Sequence, residues 1–176
     1  MGNSVNRVAI EKIKKAAASS ISFDDLGLVI VQQLSGIIPV ERMNIGLINT
    51  EQYIFTDIFV TGTNIPCRPT GRSRSLSNTV VEASMDAGKP IVIGNESKNV
   101  LIQRFPGLKL TFDTGIQCIL AAAVKSKCKF VGAMVLGSVH ELAYSKADLN
   151  MINDIGLILG ERIANMETLS DEVSHK

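Results

Sequence analysis

A helix, a short strand and a β-hairpin, predicted in this order, constrain the fold more than any other part of the chain. Residues 77–87 show a helical pattern that ends at Gly88, with a proline beyond it. The apolar run PIVI at 90–93 predicts a strand. Two longer apolar runs, at 116–124 and 130–138, flank a short polar turn and predict the hairpin. Both runs are apolar on both faces, so we expect them in the middle of a sheet, buried on two sides.

The rest of the chain adds a second hairpin and helices at both ends. Apolar residues alternate over 43–48, and 53–60 returns after a turn, which predicts two paired strands. Helical patterns cover 5–18 and 22–37, and a long one closes the chain over 145–166. Strand pairs joined by hairpins, with helices at both ends, predict an α+β fold with an antiparallel sheet rather than a doubly wound parallel one.

Capping boxes mark the starts of two of these helices. Ser22 and Asp25 fit one box, in which the serine accepts a hydrogen bond from a first-turn amide and the carboxylate reaches back. Ser145 and Asp148 fit a second box in front of the closing helix. The two pairs therefore predict where these helices begin.

Two long segments lack a periodic pattern. Residues 61–74 are rich in Gly, Pro, Thr and Arg, which predicts a loop. Residues 94–115 are also irregular, with one short helix expected near 100–104 that Pro106 and Gly107 end. A loop of this length in a compact domain is usually functional or mobile.

Composition and charge exclude several classes of protein. The chain has 176 residues, which suggests one domain with terminal extensions. Its net charge is +1, with 18 basic and 17 acidic residues, whereas nucleic-acid-binding domains usually carry a marked basic excess. No apolar run is long enough to span a membrane, and no secretory leader is recognisable. We therefore expect a cytoplasmic protein that binds neither nucleic acid nor membranes.

The three cysteines, Cys67, Cys118 and Cys128, form no CxxC pair and have no histidine pair nearby. A disulfide framework or a zinc site is therefore not expected, and the sequence names no metal and no cofactor. Lysines around Cys128 favour its thiolate, which predicts that it is the most reactive of the three thiols. His140 is a single loop histidine. No pattern of nucleophile, base and orienting group is visible, so we expect no catalytic residues.

The order of these elements resembles that of GAF domains. It runs from a helix through AGKPIVI, an irregular polar stretch, GIQCILAAAV, a tight turn and FVGAMVLGS to YSKADLNMINDIGLILGERIANM, over about residues 22–166. The resemblance implies a GAF/PAS-like α+β fold: a central antiparallel sheet of about five to six strands, terminal helices on one face, and a ligand pocket on the other, under helix 77–87. It also implies a linker helix at 1–20, the domain itself at 21–168, and a tail or linker to an output domain at 169–176.

Arg72, Arg74, Ser75 and Ser77 lie where the helix 77–87 begins. Unpaired amides and the helix dipole favour an anion at a helix N-terminus, and arginines can add bidentate contacts to phosphate or carboxylate. The resemblance also places the ligand phosphate of the cyclic-nucleotide-binding members near this point. The alternative is that Ser77 only caps the helix and that the arginines are solvated loop residues.

Asn95, Arg104, Asp113 and Gln117 form a second group of candidate ligand-binding residues. The resemblance places them in or next to a loop that covers the pocket. The alternative is that they are ordinary loop polar residues and helix caps. Cyclic-nucleotide-binding members carry an Asn-Lys, Phe, Asp-Glu signature, which this chain matches only in fragments. The sequence therefore does not support a cyclic nucleotide as the ligand.

Chemically active branches of the family are matched poorly. Bilin-carrying members attach pigment through a Cys followed by His, and this sequence has no such pair. Free-methionine-sulfoxide reductases use pocket thiols, and the loop around Cys67 loosely resembles the first of them, but the later cysteines of that pattern have no match. The resemblance therefore implies a domain without catalytic activity of its own.

The apolar stripe of the closing helix is wider than packing on one sheet requires. The resemblance implies a parallel homodimer through the terminal helices, with Met151, Ile155, Ile158 and Met166 at the interface. The alternative is that this stripe is completely buried against the chain's own sheet.

Together these features predict a regulatory domain of a signal-transduction protein, such as the sensor histidine kinase of a two-component system or a diguanylate cyclase. The domain would bind an unidentified small molecule and signal through its terminal helices to an output domain in the same polypeptide. Two alternatives stay open. One is a ligand-free dimerisation or interaction module, and the other is a free-methionine-sulfoxide-reductase-like thiol enzyme that depends on Cys67.

Overall fold

The structure, a computed structural model, describes residues 2–19 and 22–174. Six strands form one sheet in the order β3-β2-β1-β6-β5-β4, and all neighbouring strands are antiparallel. The strands are β1 (Arg42–Asn49), β2 (Ile54–Gly62), β3 (Ser73–Ser75), β4 (Ile91–Ile93), β5 (Cys118–Ser126) and β6 (Lys129–Ser138). The helices are α1 (Gly2–Ala18), α2 (Phe23–Leu34), α3 (Val80–Ala87), α4 (Lys98–Arg104), α5 (Leu108–Phe112) and α6 (Lys146–Ser174). The predicted α+β class with a central antiparallel sheet is confirmed.

One face of the sheet is covered by α1, α2 and α6. Leu26, Ile30 and Leu34 form the buried stripe of α2, and all three belong to the main core. The helix α6 lies across β5 and β6, while α1 packs on α2 and α6. The predicted hairpin of β5 and β6 lies inside the sheet rather than at its edge, because β4 covers β5 and β1 covers β6.

The predicted capping box in front of α6 is complete, and the box at Ser22 is formed in part. The Ser22 hydroxyl accepts a hydrogen bond from the backbone N–H of Asp25 at 3.1 Å and donates to the Asp25 carboxylate at 2.8 Å. In front of α6, the Asp148 carboxylate accepts from the backbone N–H of Ser145 at 2.7 Å, and the Ser145 hydroxyl accepts from the N–H of Asp148 at 3.3 Å. Each pair satisfies amide groups that the first turn of a helix leaves without a backbone partner.

The other face of the sheet is covered by α3, α4 and α5, around a second apolar cluster that includes Leu101, Phe105 and Leu108. The helix α3 begins later than predicted. Its N-cap is Thr79, whose hydroxyl accepts from the N–H of Glu82 at 3.2 Å, and Ser77 lies outside the helix. Its predicted glycine end is confirmed.

Two short elements were not predicted. Residues 94–115 contain α5 as well as the expected α4, and the predicted loop 61–74 ends in the edge strand β3. At the C-terminus, α6 continues to Ser174, through most of the segment predicted as a tail or linker, and residues 175–176 lie outside the described part of the chain. Within the described residues, no helix has the length and apolar character needed to cross a membrane.

A β-bulge in β2 decides which face of the sheet its side chains occupy. Ile45 pairs with Phe59, but the next residue of β1, Gly46, pairs with Asp57, so Ile58 is an extra residue in the ladder. Phe59 therefore packs into the core beneath the terminal helices. Asp57 lies on the opposite face, where its carboxylate accepts a hydrogen bond from Asn44.

Candidate functional site

A cavity of about 70 Å³ lies between the sheet and α3, on the face opposite the terminal helices. Its floor is formed by side chains of β1, β2 and β6, and its walls by α3 and the segments before α3 and α5. The lining residues are Arg42, Asn44, Phe55, Arg68, Arg74, Ser75, Asn78, Thr79, Val80, Val81, Phe105, Gly107, Leu108 and Val135. The cavity is therefore mostly apolar with three arginines, which is typical of a ligand site.

Arg42 begins the central strand β1 and is only 5% exposed. Its guanidinium donates to two carbonyl oxygens of the loop after β2, that of Thr63 at 2.6 Å and that of Arg68 at 3.3 Å. These bonds hold the loop 63–68 over the end of the sheet. They are bonds to neutral groups, so they orient the Arg42 charge without neutralising it.

Arg68 connects the same loop to the segment around α5. Its guanidinium donates to the carbonyl oxygen of Gly107 at 2.5 Å and to the Thr111 hydroxyl at 3.3 Å. Since Arg68 and Gly107 both line the cavity, this bridge closes one wall of it.

Asp57 supplies the negative charge next to the cavity. It is fully buried, accepts a hydrogen bond from the side-chain amide of Asn44 at 2.7 Å and forms a salt bridge with Arg74. Arg74 also lies over the ring of Phe55, 5.5 Å from its centroid. A buried carboxylate with both an amide and a guanidinium partner is the arrangement that offsets its cost of desolvation.

The charges of the three arginines affect one another. Burial lowers the pKa of Arg68 to about 10, with the positive charges of Arg74 and Arg42 acting in the same direction and Asp57 opposing them. Burial is also the main cause of a lowered pKa at Arg42. The positive charge of Arg74 adds to this effect, and the negative charge of Asp57 opposes it. A guanidinium group remains protonated in proteins at neutral pH. The site therefore holds three positive charges and one negative charge at close range.

A second cavity of about 40 Å³ adjoins the first and shares Arg42, Asn44 and Arg68 with it. It reaches towards Thr111 and Ile116, beneath α5. A cavity needs roughly 10–15 Å³ of such volume for one water molecule. The first cavity therefore has room for a phosphate-sized or short organic group, and not for a nucleoside, because pockets for ligands of that size have volumes of roughly 300 Å³ or more.

The first group of predicted site residues divides into two. Arg74 and Ser75 line the cavity, and Ser75 accepts a hydrogen bond from the N–H of Ser77 at 3.1 Å. Arg72 and Ser77 are exposed and lie outside the lining. Arg74 is the middle residue of β3 and forms a salt bridge with Asp57, whereas Arg72 precedes the strand and is exposed.

The second group of predicted residues is spread over the surface. Asn95 is exposed, and Arg104 forms an exposed bidentate pair with Glu96, both at 2.9 Å. Asp113 pairs with Lys109 one helical turn away. The Gln117 amide donates to the carbonyl oxygen of Val139 at 2.8 Å. None of these predicted residues lines the cavity under α3; instead Phe105, Gly107 and Leu108 represent the loop 94–115 there.

Sequence reasoning missed Arg42, Asn44, Asp57 and Arg68. One signal was available for the first two, since they alternate with the apolar residues Met43 and Ile45 in a strand that is otherwise apolar. Two polar residues on one face of a central strand indicate a polar site on that face. Asp57 and Arg68 gave no comparable signal, because the bulge and the closure of the loop over the sheet bring them to the site.

The cysteines do not form a cluster. Cys118 is buried in the main core, where burial raises the pKa of its thiol. Cys67 and Cys128 are exposed. Cys67 directly precedes Arg68, whereas Cys128 lies in the turn between β5 and β6. His140 is exposed, and His175 lies outside the described part of the chain. Over residues 2–19 and 22–174, no group of three or more metal-ligating side chains comes together.

The residues predicted at a dimer interface differ in exposure. Met151 and Ile155 are buried in the chain's own core, at 2% and 0% exposure, Ile158 is partly buried, and Met166 is 37% exposed. The burial of Met151 and Ile155 agrees with the alternative, in which the apolar stripe of α6 packs within its own chain. A dimer through α6 therefore remains a prediction that depends on Ile158, Met166 and their exposed neighbours.

Comparisons with known proteins show what the fold is. No protein-family model matches the sequence, and a search of the curated proteins found no match. Among solved structures, the GAF domain of an Acinetobacter phosphoenolpyruvate-protein phosphotransferase is similar, with a TM-score of 0.74, 19% identity, and coverage of 94% of this chain and 97% of that one. The GAF domain of a Bacillus halodurans two-component sensor histidine kinase has a TM-score of 0.72 and 18% identity, covering 86% of this chain and 99% of that one.

An enzyme has the same fold. The free methionine-R-sulfoxide reductase of Neisseria meningitidis, solved with its substrate, has a TM-score of 0.70 and 13% identity, and the match covers 93% of this chain and 91% of that one. Identities at this level establish architecture and not activity. The chain therefore has the GAF-domain fold, as its sequence predicted.

Proposed function

We propose that this chain, which has the GAF-domain fold, is a regulatory domain that binds a small molecule between its sheet and α3. In this proposal the domain is not catalytic. It belongs to a cytoplasmic signalling protein, for example of a two-component system, and acts as a homodimer that passes ligand binding through its terminal helices to an output domain.

The observation that carries the proposal is the cavity under α3. It is apolar over most of its lining, yet Arg42, Arg68 and Arg74 converge on it, and Arg42 is held in place although its burial is costly. Polar groups placed in this way orient a ligand, whereas a purely structural core is better stabilised by apolar side chains. The occurrence of the same fold in a sensor histidine kinase supports a signalling role.

A physical connection runs from the cavity to the terminal helices. Ser84 of α3 is fully buried; its hydroxyl donates to the carbonyl oxygen of Lys89 and accepts from the N–H of Ala123 in β5, both at 2.9 Å. On the other face of β5, Gly160 of α6 lies so close that a Cβ there would be 2.1 Å from the carbonyl oxygen of Lys125. A ligand that moves α3 would therefore act on the strand against which α6 packs. Coupling requires in addition that the ligand bind two arrangements of the terminal helices with different affinities.

A metabolite screen followed by hydrogen–deuterium exchange tests this proposal. A ligand that raises the melting temperature is expected to slow exchange in α3 and in residues 105–115, and to change exchange in α1 or α6 as well. Ligand binding with no response in either terminal helix would contradict the signalling role. Absence of any ligand, together with a stable dimer, would favour the first alternative.

That alternative is a ligand-free dimerisation or interaction module, and the exposed apolar residues of α1 and α6 favour it. Val5 and Val8 of α1 are 54% and 56% exposed, and Leu157 of α6 is 59% exposed. Apolar side chains with this exposure suit a surface that a second copy covers. Sedimentation velocity of the chain and of Val5→Ser/Val8→Ser tests it; equal monomeric mass for both would remove this alternative.

A weaker alternative is a thiol enzyme that resembles the free-methionine-sulfoxide reductases. It is supported by the shared fold of such a reductase and by the position of Cys67, which is exposed and adjoins a residue of the cavity lining. Cys67→Ser provides the test. Sulfoxide reduction by the unmodified chain that this variant lacks would establish the alternative, and no reduction by the unmodified chain would end it.

A further inference from the structure

We propose that the ligand of the cavity under α3 is a small anion, with a phosphate or carboxylate group held by Arg42, Arg68 and Arg74. This inference rests on the proposed function, because it names the chemical class of the molecule that the regulatory site takes. Of the three arginines, Arg74 was a candidate on sequence grounds, whereas Arg42 and Arg68 were not.

The first argument is the balance of charge. Three guanidinium groups lie close enough to affect one another, and one carboxylate, that of Asp57, lies beside them. Asp57 forms its salt bridge with Arg74, and within the described residues neither Arg42 nor Arg68 forms one. An anion in the cavity would therefore interact with two partly desolvated positive charges that no protein carboxylate pairs, where electrostatic attraction is stronger than at an exposed site.

The second argument is the number of hydrogen-bond donors. Each guanidinium carries five N–H donors in a planar fork. Arg42 and Arg68 each make two hydrogen bonds to protein groups, and Arg74 makes one to Asp57. Most donors are therefore still available, and the bonds already made fix the orientation of the forks. Pre-oriented forks match the oxygen spacing of carboxylate and phosphate groups.

The third argument is size. A cavity of about 70 Å³ fits an anionic group with a short carbon chain, and the adjoining cavity of about 40 Å³ extends under α5. The neighbouring Phe55, Val80 and Leu108 are apolar and give such a chain a surface to pack on. The combination fits a phosphate or a short mono- or dicarboxylate, and it does not fit a large aromatic ligand.

Titration calorimetry with inorganic phosphate, succinate and the neutral diamide succinamide tests the inference on the full chain, at an ionic strength kept constant with chloride. Phosphate or succinate is expected to bind, and succinamide is expected to bind at least tenfold more weakly. The comparison of phosphate with succinate identifies which anionic group the site prefers. If neither anion binds more tightly than succinamide, the inference is wrong.

Two variants locate the binding. Arg68→Gln removes one charged donor and is expected to weaken binding of the preferred anion by about 10- to 100-fold. Ser75→Asp places a carboxylate at the edge of the cavity while keeping an acceptor for the N–H of Ser77, and we expect it to weaken binding at least tenfold by repulsion. Because Ser75 is exposed, this variant tests the charge even if Arg68→Gln folds poorly.

Lys109→Gln is the matched control. Lys109 is an exposed basic residue of α5 that pairs with Asp113 and does not line the cavity. Unchanged anion affinity in this variant, with weakened affinity in the other two, is the expected result. An equal loss in all three would show non-specific attraction to a basic surface and would overturn the inference.

The outcome also separates this inference from the proposed function. A neutral or cationic metabolite that binds under α3 and alters exchange in α6 would overturn the anion inference and leave the regulatory role intact. Failure of anionic, neutral and cationic compounds alike to bind would overturn both.

Discussion

The two faces of the sheet are built in different ways. The face beneath α1, α2 and α6, which we call the helical face, is an apolar core of fully buried aliphatic side chains such as Leu26, Ile30 and Ile155. The face beneath α3, α4 and α5 combines smaller apolar clusters with two cavities and with buried Arg42, Asn44 and Asp57. Close packing contributes most to stability, whereas buried charges seldom do. The face beneath α1, α2 and α6 therefore contributes most of the stability, and the other face carries the cavities and buried charges on which the proposed ligand binding rests.

The largest expected effect comes from creating a hole in the helical face. Ile155→Ala should lower the free energy of unfolding by about 2–5 kcal/mol, since Ile155 is fully buried. Urea denaturation measures the change, with Leu157→Ala on the exposed side of the same helix as the control. The loss should not depend on protein concentration, because the side chain packs within its own chain. A loss that appears only at high concentration would return Ile155 to a dimer interface.

The second prediction concerns Asp57 on the other face, where a loss of stability should accompany tighter anion binding. Asp57→Asn removes the salt-bridge partner of Arg74, and we expect the free energy of unfolding to fall by about 2 kcal/mol. This loss is smaller than for a fully buried pair because the Arg74 side chain is 26% exposed. The same change makes the site more positive, so the affinity for phosphate or succinate should rise several-fold. Asp154→Asn, an exposed carboxylate of α6, is the control. Weaker anion binding by Asp57→Asn would contradict the account of the site.

A smaller effect is expected at the start of α3. Thr79→Ala removes the N-cap hydrogen bond to Glu82 and should cost about 1 kcal/mol in unfolding free energy. Ser77→Ala should change the stability by less than about 0.5 kcal/mol, since Ser77 lies outside the helix. Thermal unfolding of the two variants shows whether Thr79 or Ser77 caps the helix. Equal losses of unfolding free energy in both would support the helix start at Ser77 that the sequence predicted.

The smallest perturbation is thiol labelling, in which the reaction rate of each cysteine is measured on the unmodified sequence under native conditions. Cys67 and Cys128 are exposed and should react quickly with a disulfide reagent. Cys118 should react only as the protein unfolds, because it is buried in the main core and burial raises the pKa of its thiol, which lowers the thiolate fraction at neutral pH. Three fast thiols in the native protein would mean that the helical face opens readily.

Sequence alone was most informative where structure is local. The stripe of α2, the two capping boxes and the glycine end of α3 follow from residue spacing within one turn or one helix. The five-residue helix α5 was missed because neither a side-chain cap nor a repeated apolar pattern marks it. The three-residue strand β3 exists only because β2 lies beside it. Short elements of this kind depend on tertiary contacts that no local pattern contains.

The site was harder to predict than the fold. Arg74 and Ser75 were found because they precede a recognisable helix. Arg68 lies in a loop between Cys67 and Pro69, and its hydrogen bonds to Gly107 and Thr111 bring it to the cavity. Such hydrogen bonds join residues far apart in the chain, so spacing carries no information about them.

The extra residue at Ile58 has a consequence for how related chains should be aligned. In a regular strand, two residues that are two positions apart share a face. Asp57 and Phe59 lie on opposite faces only because Ile58 is an extra residue in the ladder. A relative that lacks the extra residue would therefore keep the aspartate on the cavity face, whereas a relative with the same spacing but a regular β2 would place both side chains on one face. An alignment of such chains should therefore put its gap at Ile58 and keep the aspartate in register with β1.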